Sequence, residues 1–212
     1  GATLNRMLER LDDAGRRQRL FAAAASHELR SPLSAIRTEL EVGLAYPDRT
    51  DWSEVAGETL VEVERLERLA SDLLQVTRLQ ALPRGTGDGR CDLGRVVRAE
   101  LGRRAHAGPI ELRGDITDVT VAGEHEAVVH LVRNLFDNAQ RHASSTVTAS
   151  TRVVGDRVEL LIENDGAPID VADRERIFDP FTRLDDARVA DATGAGLGLS
   201  IARGLAAQMG GT

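Results

Sequence analysis

The sequence predicts a multi-domain protein in which an all-α helical hairpin precedes an α+β two-layer sandwich. Over the first part of the chain, apolar residues recur at three- and four-residue steps, which is typical of amphipathic helices. A segment rich in glycine, proline and charge follows at residues 82–90. Beyond it, helical periods are mixed with short stretches typical of strands. The chain has 212 residues, enough for two ordinary domains with their own cores.

Two long helices are predicted for the hairpin. The first carries an apolar stripe over residues 4–44 and ends near Pro47. The second carries a stripe over residues 55–76, and Thr50 or Asp51 can cap its start. Because two helices alone cannot enclose a core, we expect the hairpin to pair with a second copy in a dimeric four-helix bundle. Packing of the hairpin onto its own C-terminal domain is the alternative.

The C-terminal half mixes helices and strands in an order that indicates an α+β sandwich. The predicted elements are a helix capped by Asp92 that ends near Ala105, strands at 110–116 and 119–122, a helix at 124–142, strands at 146–154 and 157–163, and a helix at 198–209. A turn at Gly155-Asp156 separates the last two strands.

Composition excludes several classes of protein. The net charge is −7, with 29% charged residues of both signs, so the chain has no overall positive charge that would attract nucleic acid. Cys91 is the single cysteine, which rules out an internal disulfide and argues against a cysteine metal cage. The longest apolar run, residues 21–25, is far shorter than the ~20 residues of a membrane-spanning helix. We therefore expect this piece of the protein to be soluble.

His27 lies on the first predicted helix, within the segment Ser-His-Glu-Leu-Arg-Ser-Pro-Leu. At about 100° per residue it points away from the apolar stripe, so we expect an exposed ring. An imidazole accepts a phosphoryl group only through an unprotonated, reachable nitrogen, and the adjacent Glu28 can hold the proton on the other nitrogen. Pro32 follows one turn later and is expected to bend the helix. Most exposed histidines are only solvated side chains, so it is the surrounding segment, and not the exposure of the ring, that indicates a function for His27.

The wider segment 21–36 resembles the H box of the HisKA dimerisation and phosphotransfer domain of two-component sensor kinases. The resemblance implies that His27 is the phosphoacceptor and Glu28 its acid/base partner. Ser31 occupies the position where such kinases often carry Thr or Asn to orient water for dephosphorylating a partner. A serine hydroxyl can serve there, but phosphatase activity stays open.

A second motif lies on the helix predicted at 124–142. Asn134 and Asn138 are four residues apart and share one helical face. Amide oxygens are neutral donors suited to a Mg²⁺ ion that keeps several waters while bridging phosphates. Arg141, one turn later, can contact phosphate oxygens. The segment resembles the N box of the same family, which implies Asn138 as magnesium ligand, Asn134 as its neighbour, and Arg141 and His142 at the nucleotide.

The strand predicted at 157–163 stops at Asn-Asp-Gly, a sequence that favours a sharp turn. This segment resembles the family's first glycine box, usually Asp-x-Gly-x-Gly, whose aspartate accepts a hydrogen bond from the adenine amino group. Here Asn164 stands in the place of that aspartate and Pro168 in that of the second glycine, while Gly166 is kept. An asparagine can still accept from the adenine amine. Asp165 is the alternative adenine-reading residue.

Residues 177–185 resemble the family's F box, and residues 194–201 resemble its second glycine box. Glycines let backbone amides approach phosphate, and the helix that follows attracts anions at its N-terminus. The polar segment 182–193 is expected to form a mobile lid, in which Arg183 or Arg188 can pair with the γ-phosphate. The other candidate nucleotide-binding residues of this region are Gly194, Gly196, Leu197 and Gly198.

The five motifs, in the family's order, cover most of residues 21–204, so the sequence resembles the cytoplasmic core of a sensor histidine kinase. The resemblance implies a fold shared with gyrase, mismatch-repair and heat-shock chaperone ATPases, with ATP and Mg²⁺ at the C-terminal site. It implies autophosphorylation of His27 and transfer to an aspartate of a response regulator. A phosphate-releasing ATPase of the same fold and a non-catalytic dimeric scaffold are the alternatives.

The resemblance also implies a domain plan. Residues 1–20 correspond to the end of a HAMP-type signalling helix, residues 21–82 to the phosphotransfer hairpin, residues 83–91 to a linker, and residues 92–212 to an ATP-binding domain without its C-terminal strands. The expected partners are a second copy through the hairpin and a response-regulator receiver domain. The expected location is the cytoplasmic side of a bacterial cell-membrane protein, with the membrane reached only through upstream segments.

Overall fold

The computed structural model describes residues 2–81, 89–105, 108–184 and 195–212. Contacts divide the chain into two compact units, and the division falls between Leu74 and Gln75. The first unit is helical and the second contains all the strands of the described residues. The fold class that the sequence predicts, a helical hairpin followed by an α/β sheet domain, is confirmed.

Helices α1 (Ala2–Ala45) and α2 (Trp52–Ala81) form the hairpin, with a short 3-10 turn at Pro47–Arg49 between them. The side chain of Asp51 accepts the backbone N–H of Ser53 at 2.9 Å. Asp51 therefore caps α2, because it satisfies a donor that has no partner inside the helix.

One face of the hairpin is left apolar and uncovered. At the turn, the ring of Trp52 packs so closely on Gly43 that an added Cβ would lie 3.1 Å from a ring carbon. Along the rest of the hairpin, several large apolar side chains stay exposed, and many of them lie on one stripe of each helix: Leu33, Leu40 and Leu44 on α1, and Leu60, Val63 and Leu74 on α2. None of the helices in the described parts of the chain is long and apolar enough to cross a membrane.

The described part of the second unit contains two small sheets. Strand β1 (Arg90–Asp92) pairs antiparallel with β3 (Thr120–Ala122). The larger sheet has the order β2–β4–β5, where β2 is Glu111–Ile116, β4 is Thr146–Val154 and β5 is Arg157–Asn164. Strand β2 runs parallel to β4, and β5 runs antiparallel to it.

In the described residues beyond the hairpin, three α-helices accompany these sheets. They are α3 (Leu93–Arg104), α4 (His125–His142) and α5 (Gly198–Gln208). Asp92 caps α3 by accepting the backbone N–H of Arg95 at 2.8 Å, as the sequence predicts.

The core of this unit lies between the helices and the larger sheet. On β4, buried side chains alternate with less buried ones, as expected for a strand with one covered face. The largest side chains that are fully buried in the unit are Val97, Val128, Val132, Phe136, Val147, Leu197, Ile201 and Leu205. This core is made almost entirely of aliphatic residues, which fits the aromatic content of 3%.

A buried cluster of charges joins α3 to α4. Glu100 is buried, and its carboxylate accepts hydrogen bonds from Arg103 at 2.6 Å and from Arg133 at 2.8 Å. Arg104 is also buried and pairs with Asp137 at 2.5 Å. Burial raises the pKa of Glu100, but the hydrogen bonds and charges of the two arginines outweigh it, so the net pKa is lowered. The cluster therefore holds α4 in one position relative to α3.

The predicted linker 83–91 differs in part from the structure. Residues 82–88 lie outside the described residues, but Arg90–Asp92 form β1 and pair with β3. The glycine-rich composition of residues 82–90 did not reveal this pairing, because the partner strand lies some thirty residues away.

Candidate functional site

His27 lies on the exposed surface of α1, as its position on the helix predicts. Ser31, four residues further on, is also exposed and shares that face, whereas Glu28 is half-buried. Helix α1 continues through Pro32, which is buried, so the proline does not end the helix. The predicted bend at this position stays a prediction.

The two asparagines of α4 are half-buried on one face of the helix. The amide nitrogen of Asn134 donates to the carbonyl oxygen of His130 at 2.9 Å. Its amide oxygen lies 3.0 Å from where a Cβ on Gly198 would stand. The start of α5 therefore approaches the asparagine face of α4 closely, and Asn138 lies one turn further along that face.

The loop that leads into α5 depends on glycine. Gly196 has φ +70°, a conformation that side chains other than glycine rarely adopt. Its carbonyl accepts the N–H of Phe181 at 2.9 Å, and Phe181 itself has φ +61°. Leu197 is buried and anchors the loop, and its apolar side chain, at the N-cap of α5, cannot accept the N–H groups of the first helical turn. Uncapped N–H groups at a helix start are suited to hold phosphate oxygens.

Three candidate residues belong to the polar segment before this loop. Arg183 is half-buried in the described part of the segment. Arg188 and Gly194 lie outside the described residues, as does most of the predicted lid.

The end of β5 meets the end of α4. A Cβ at Gly166 would collide with the carbonyl oxygen of His142, so only glycine fits there. The amide nitrogen of Asn164 donates to the same carbonyl at 3.2 Å. Arg141 and His142 are exposed in the last turn of α4. The structure thus brings Asn164 and Gly166 to the C-terminal end of the helix that carries Asn134 and Asn138.

Asp165 is bonded within the protein. Its Oδ1 accepts the backbone N–H groups of Ser144 at 2.8 Å, Ser145 at 2.9 Å and Thr146 at 3.0 Å. Its Oδ2 accepts the hydroxyl of Ser145 at 2.5 Å. The bonds from Ser145, followed by those from Thr146 and Ser144, hold the pKa of Asp165 well below its usual range. The carboxylate therefore stays ionised at neutral pH.

Sequence reasoning missed Ser144, Ser145 and Thr146, which follow α4 directly, and it missed the left-handed backbone of Phe181. The three amides bond to a carboxylate about twenty residues away, so no local pattern marks them. The Asp-Pro-Phe-Thr segment before the lid is a turn signal, but it does not identify the glycine that Phe181 contacts.

The residues of α4, of the loop into α5 and of the end of β5 together have the chemistry of a nucleotide site. It combines glycine backbone that phosphate can approach, amide oxygens that suit a hard cation, and an amide at the end of a strand for a base edge. In the described residues, no group of three or more His, Cys, Asp or Glu side chains could hold a metal. A magnesium ion held through an amide oxygen and phosphate needs no such group, so the donor set fits Mg-ATP.

Comparison with known proteins agrees with this geometry. Residues 17–82 match the His Kinase A (phospho-acceptor) domain, and residues 123–212 match the histidine kinase-, DNA gyrase B-, and HSP90-like ATPase family. The chain is 31% identical over 220 residues to the sensor protein IrlS of Burkholderia pseudomallei. It is 34% identical over 215 residues to the sensor protein CutS of Streptomyces coelicolor.

These alignments cover 98% and 99% of this chain but 46% and 52% of the relatives, so the chain spans about half the length of the curated relatives it matches. Among solved structures, the histidine kinase AdeS of Acinetobacter baumannii superimposes with a TM-score of 0.65, covering 85% of both chains at 23% identity. At that identity the likeness supports the fold.

Proposed function

Because this chain belongs to the sensor histidine kinases, with a phospho-acceptor domain and an ATPase domain in one sequence, we propose that it transfers the γ-phosphoryl group of ATP to His27. The observation that carries the proposal is an exposed imidazole on α1 in the same chain as an α/β site whose backbone requires glycine. An exposed ring is a requirement of this reaction, since the acceptor must be reached by a nucleotide held in another unit.

The chemistry assigned to α1 is nucleophilic substitution at phosphorus. An unprotonated ring nitrogen of His27 attacks the γ-phosphorus, a nitrogen–phosphorus bond forms as the bond to the bridging oxygen breaks, and ADP leaves. Glu28 is adjacent in sequence and half-buried, and we assign it to hold the proton on the other ring nitrogen. Ser31 shares the exposed face and is assigned to orient water for dephosphorylating a partner protein.

The nucleotide is assigned to the cluster on α4, α5 and the end of β5. We assign the phosphates to the backbone of Gly196, Leu197 and Gly198, and the base to Asn164 and Gly166. Asn138 would hold a magnesium ion with Asn134 as its neighbour, and a bound ion would neutralise charge on the phosphate oxygens. Further phosphate contacts are assigned to exposed or lid residues, namely Arg141, His142, Arg183, Arg188 and Gly194.

The hairpin supports a proposal about partners. Its exposed apolar stripe, which includes Leu40 and Leu60, is the kind of surface that a second copy of the hairpin would cover in a four-helix bundle. We propose such a dimer, with a response-regulator aspartate as the next phosphoryl acceptor. We also propose that the chain works on the cytoplasmic side of a membrane-anchored sensor, in line with the sensor proteins it resembles.

Incubation with ATP labelled at the γ-phosphorus tests the kinase proposal. The unmodified chain should acquire protein-bound phosphate that is lost in acid and stable in base, as expected of phosphohistidine. His27→Gln should abolish the label. His125→Gln is the matched control, because His125 is also an exposed histidine but lies on α4 outside the assigned site, and it should keep the label.

Two other results would assign another function. Release of free phosphate without protein label would mark a phosphate-releasing ATPase. Failure to bind any nucleotide would mark a non-catalytic scaffold. Label that persists in His27→Gln would place the acceptor elsewhere in the chain.

A further inference from the structure

Arg203 connects helix α5 to the short 3-10 turn at Arg176–Phe178 in the α/β unit. Its guanidinium lies over the ring of Phe178, 5.3 Å from the ring centroid, and donates to the carbonyl oxygen of Phe178 at 3.1 Å. It also lies 3.5 Å from the carboxylate of Asp179. A planar guanidinium can stack through its face and donate through its edge, so one side chain holds both the ring and the backbone of the turn.

The residues that follow Phe178 form a tight turn with a strained backbone. The carbonyl oxygen of Asp179 accepts the N–H of Thr182 at 3.1 Å, with Pro180 second and Phe181 third in the turn. Phe181 has φ +61°, as the third residue of a type II turn requires, and that position usually holds glycine. A bulky residue in this conformation persists only where surrounding contacts hold it, so the turn depends on its neighbours for its shape.

The same turn is bonded to the backbone assigned to phosphate. The N–H of Phe181 donates to the carbonyl oxygen of Gly196 at 2.9 Å, and a Cβ on Gly196 would lie 3.0 Å from backbone atoms of Phe181. Gly196 directly precedes Leu197 and Gly198, where α5 begins, and Arg203 lies in the second turn of that helix. The turn is therefore held to α5 by Arg203 on one side and by the carbonyl of Gly196 on the other.

We propose that Arg203 is a positioning residue of the nucleotide site, which holds the 179–182 turn against α5 so that the backbone from Gly196 to Gly198 stays in place for the phosphates. Arg203 itself does not contact the nucleotide. Amides that are held before a ligand arrives bind it more tightly than mobile ones, because less conformational entropy is lost on binding. The inference rests on the proposed nucleotide site and adds to it a residue that touches no phosphate.

Competition binding on the full 212-residue chain tests this inference. A fluorescent ATP analogue is displaced by ADP or by adenosine, and the readout is the ratio of the two dissociation constants. Adenosine carries the base and the sugar without phosphate, so the ratio isolates the contribution of the phosphates. We expect Arg203→Ala to lower the preference for ADP about tenfold, because the carbonyl bond and the ring contact are both lost. A ratio is insensitive to the fraction of folded protein, because both ligands bind the same folded population.

Three further variants separate positioning from other effects. Phe178→Leu keeps every charge but removes the ring beneath Arg203, and it should lower the ratio about threefold. Phe181→Gly keeps the backbone donor and adopts positive φ readily, so it should keep the ratio within about twofold. Arg176→Ala is the matched control and should leave the ratio unchanged, because Arg176 is an exposed arginine of the same 3-10 turn that pairs with Asp173 and not with α5.

An unchanged ratio in Arg203→Ala, or equal losses of ADP and adenosine affinity, would overturn the inference, since Arg203 would then at most stabilise the fold. A lowered ratio in Arg203→Ala with none in Phe178→Leu would also overturn it, because the positive charge would then act on the phosphates directly. A loss in Phe181→Gly as large as that in Arg203→Ala would overturn the backbone route, since the Phe181 ring would carry the effect. Each of these results is compatible with phosphorylation of His27, so the proposed kinase function would stand. Absence of nucleotide binding by the unmodified chain would overturn both.

Discussion

The two units of the chain bury their apolar residues to very different extents. In the α/β unit, Phe136 and Val132 are 0% exposed and belong to a core that the unit closes by itself. In the hairpin, Leu60 is 62% exposed and Leu44 is 71% exposed. The difference shows that the α/β unit buries a core of its own, whereas the hairpin carries apolar surface that suits a partner.

The two units also treat charge differently. Glu100 of the α/β unit is buried and bonded to arginines from two helices. The Arg37–Glu41 pair of the hairpin spans 2.7 Å, but both side chains are mostly exposed to solvent. A buried carboxylate that is bonded to several arginines restricts the relative position of its helices more than a solvent-exposed ion pair does.

The largest expected effect comes from the core of the α/β unit. Phe136→Ala should cost about 3–5 kcal/mol of unfolding free energy, because it leaves a cavity in a fully buried site. Far-UV circular dichroism in urea should show an early transition. Trp52, the single tryptophan, lies in the hairpin, so the unfolding transition that its fluorescence reports should keep its urea midpoint. Val154→Ala, at an exposed position on β4, is the control. A common early transition for both probes would show that the units unfold as one.

The second-largest effect is expected from a charge placed on the apolar stripe of the hairpin, which tests whether that stripe is covered by a partner. Leu60→Glu should raise the dissociation constant of the proposed dimer about a hundredfold, roughly 3 kcal/mol, since each copy would bury a carboxylate. Sedimentation equilibrium measures it. Val61→Glu is a matched control, because Val61 is equally exposed at 59% but lies about 100° around the helix from the stripe. Equal effects of the two substitutions would refute the assignment of the stripe as the interface.

The buried charge cluster predicts an acid-dependent contribution to stability. The folded-state pKa of Glu100 lies below its ordinary value of 4.5, so the stabilisation is present above that pH and is lost as pH falls through the folded value. Glu100→Gln should therefore cost about 1–3 kcal/mol at pH 7 and progressively less in acid. Urea titrations at several pH values measure this, with Glu175→Gln, at an exposed position, as control. A cost that does not shrink in acid would contradict the assigned ionisation.

The smallest expected effect is at the exposed ion pair of α1. Arg37→Ala should change the unfolding free energy by less than about 0.5 kcal/mol, because solvent and salt screen the pair. Thermal unfolding at low and high salt measures it. A larger loss would mean that Arg37 is buried against a partner in the assembled protein.

Local patterns predicted the elements well. Strand β4 begins and ends at the predicted residues 146 and 154, and the caps at Asp51 and Asp92 are found where side chains of that type precede helical periods. The exposed position of His27 follows from its angle on the helix and is likewise found. Each of these features depends on residues within a few positions of one another, so the sequence carries the signal directly.

The candidate site was predicted by residue type but not by its bonding. The asparagines of α4 and the glycines near α5 were identified as nucleotide residues, and the approach of Gly198 to Asn134 brings them together. Asp165 was considered as a base-reading residue, yet its carboxylate is bonded to the segment after α4. The four bonds that the Asp165 carboxylate accepts join residues about twenty positions apart. Such pairs form only when α4 packs against the sheet.

By itself, then, the sequence determined the helical hairpin, the order of helices and strands after β1, and the side chains available for phosphoryl chemistry. Periodicity, caps and turns act over a few residues, which is the range that a linear sequence expresses. The tertiary structure alone decided that β1 pairs with β3, that Gly166 faces the His142 carbonyl, and that the Asp165 carboxylate bonds to the segment after α4. These outcomes required distant segments to meet, because a hydrogen bond forms only where the fold brings donor and acceptor within about 3 Å.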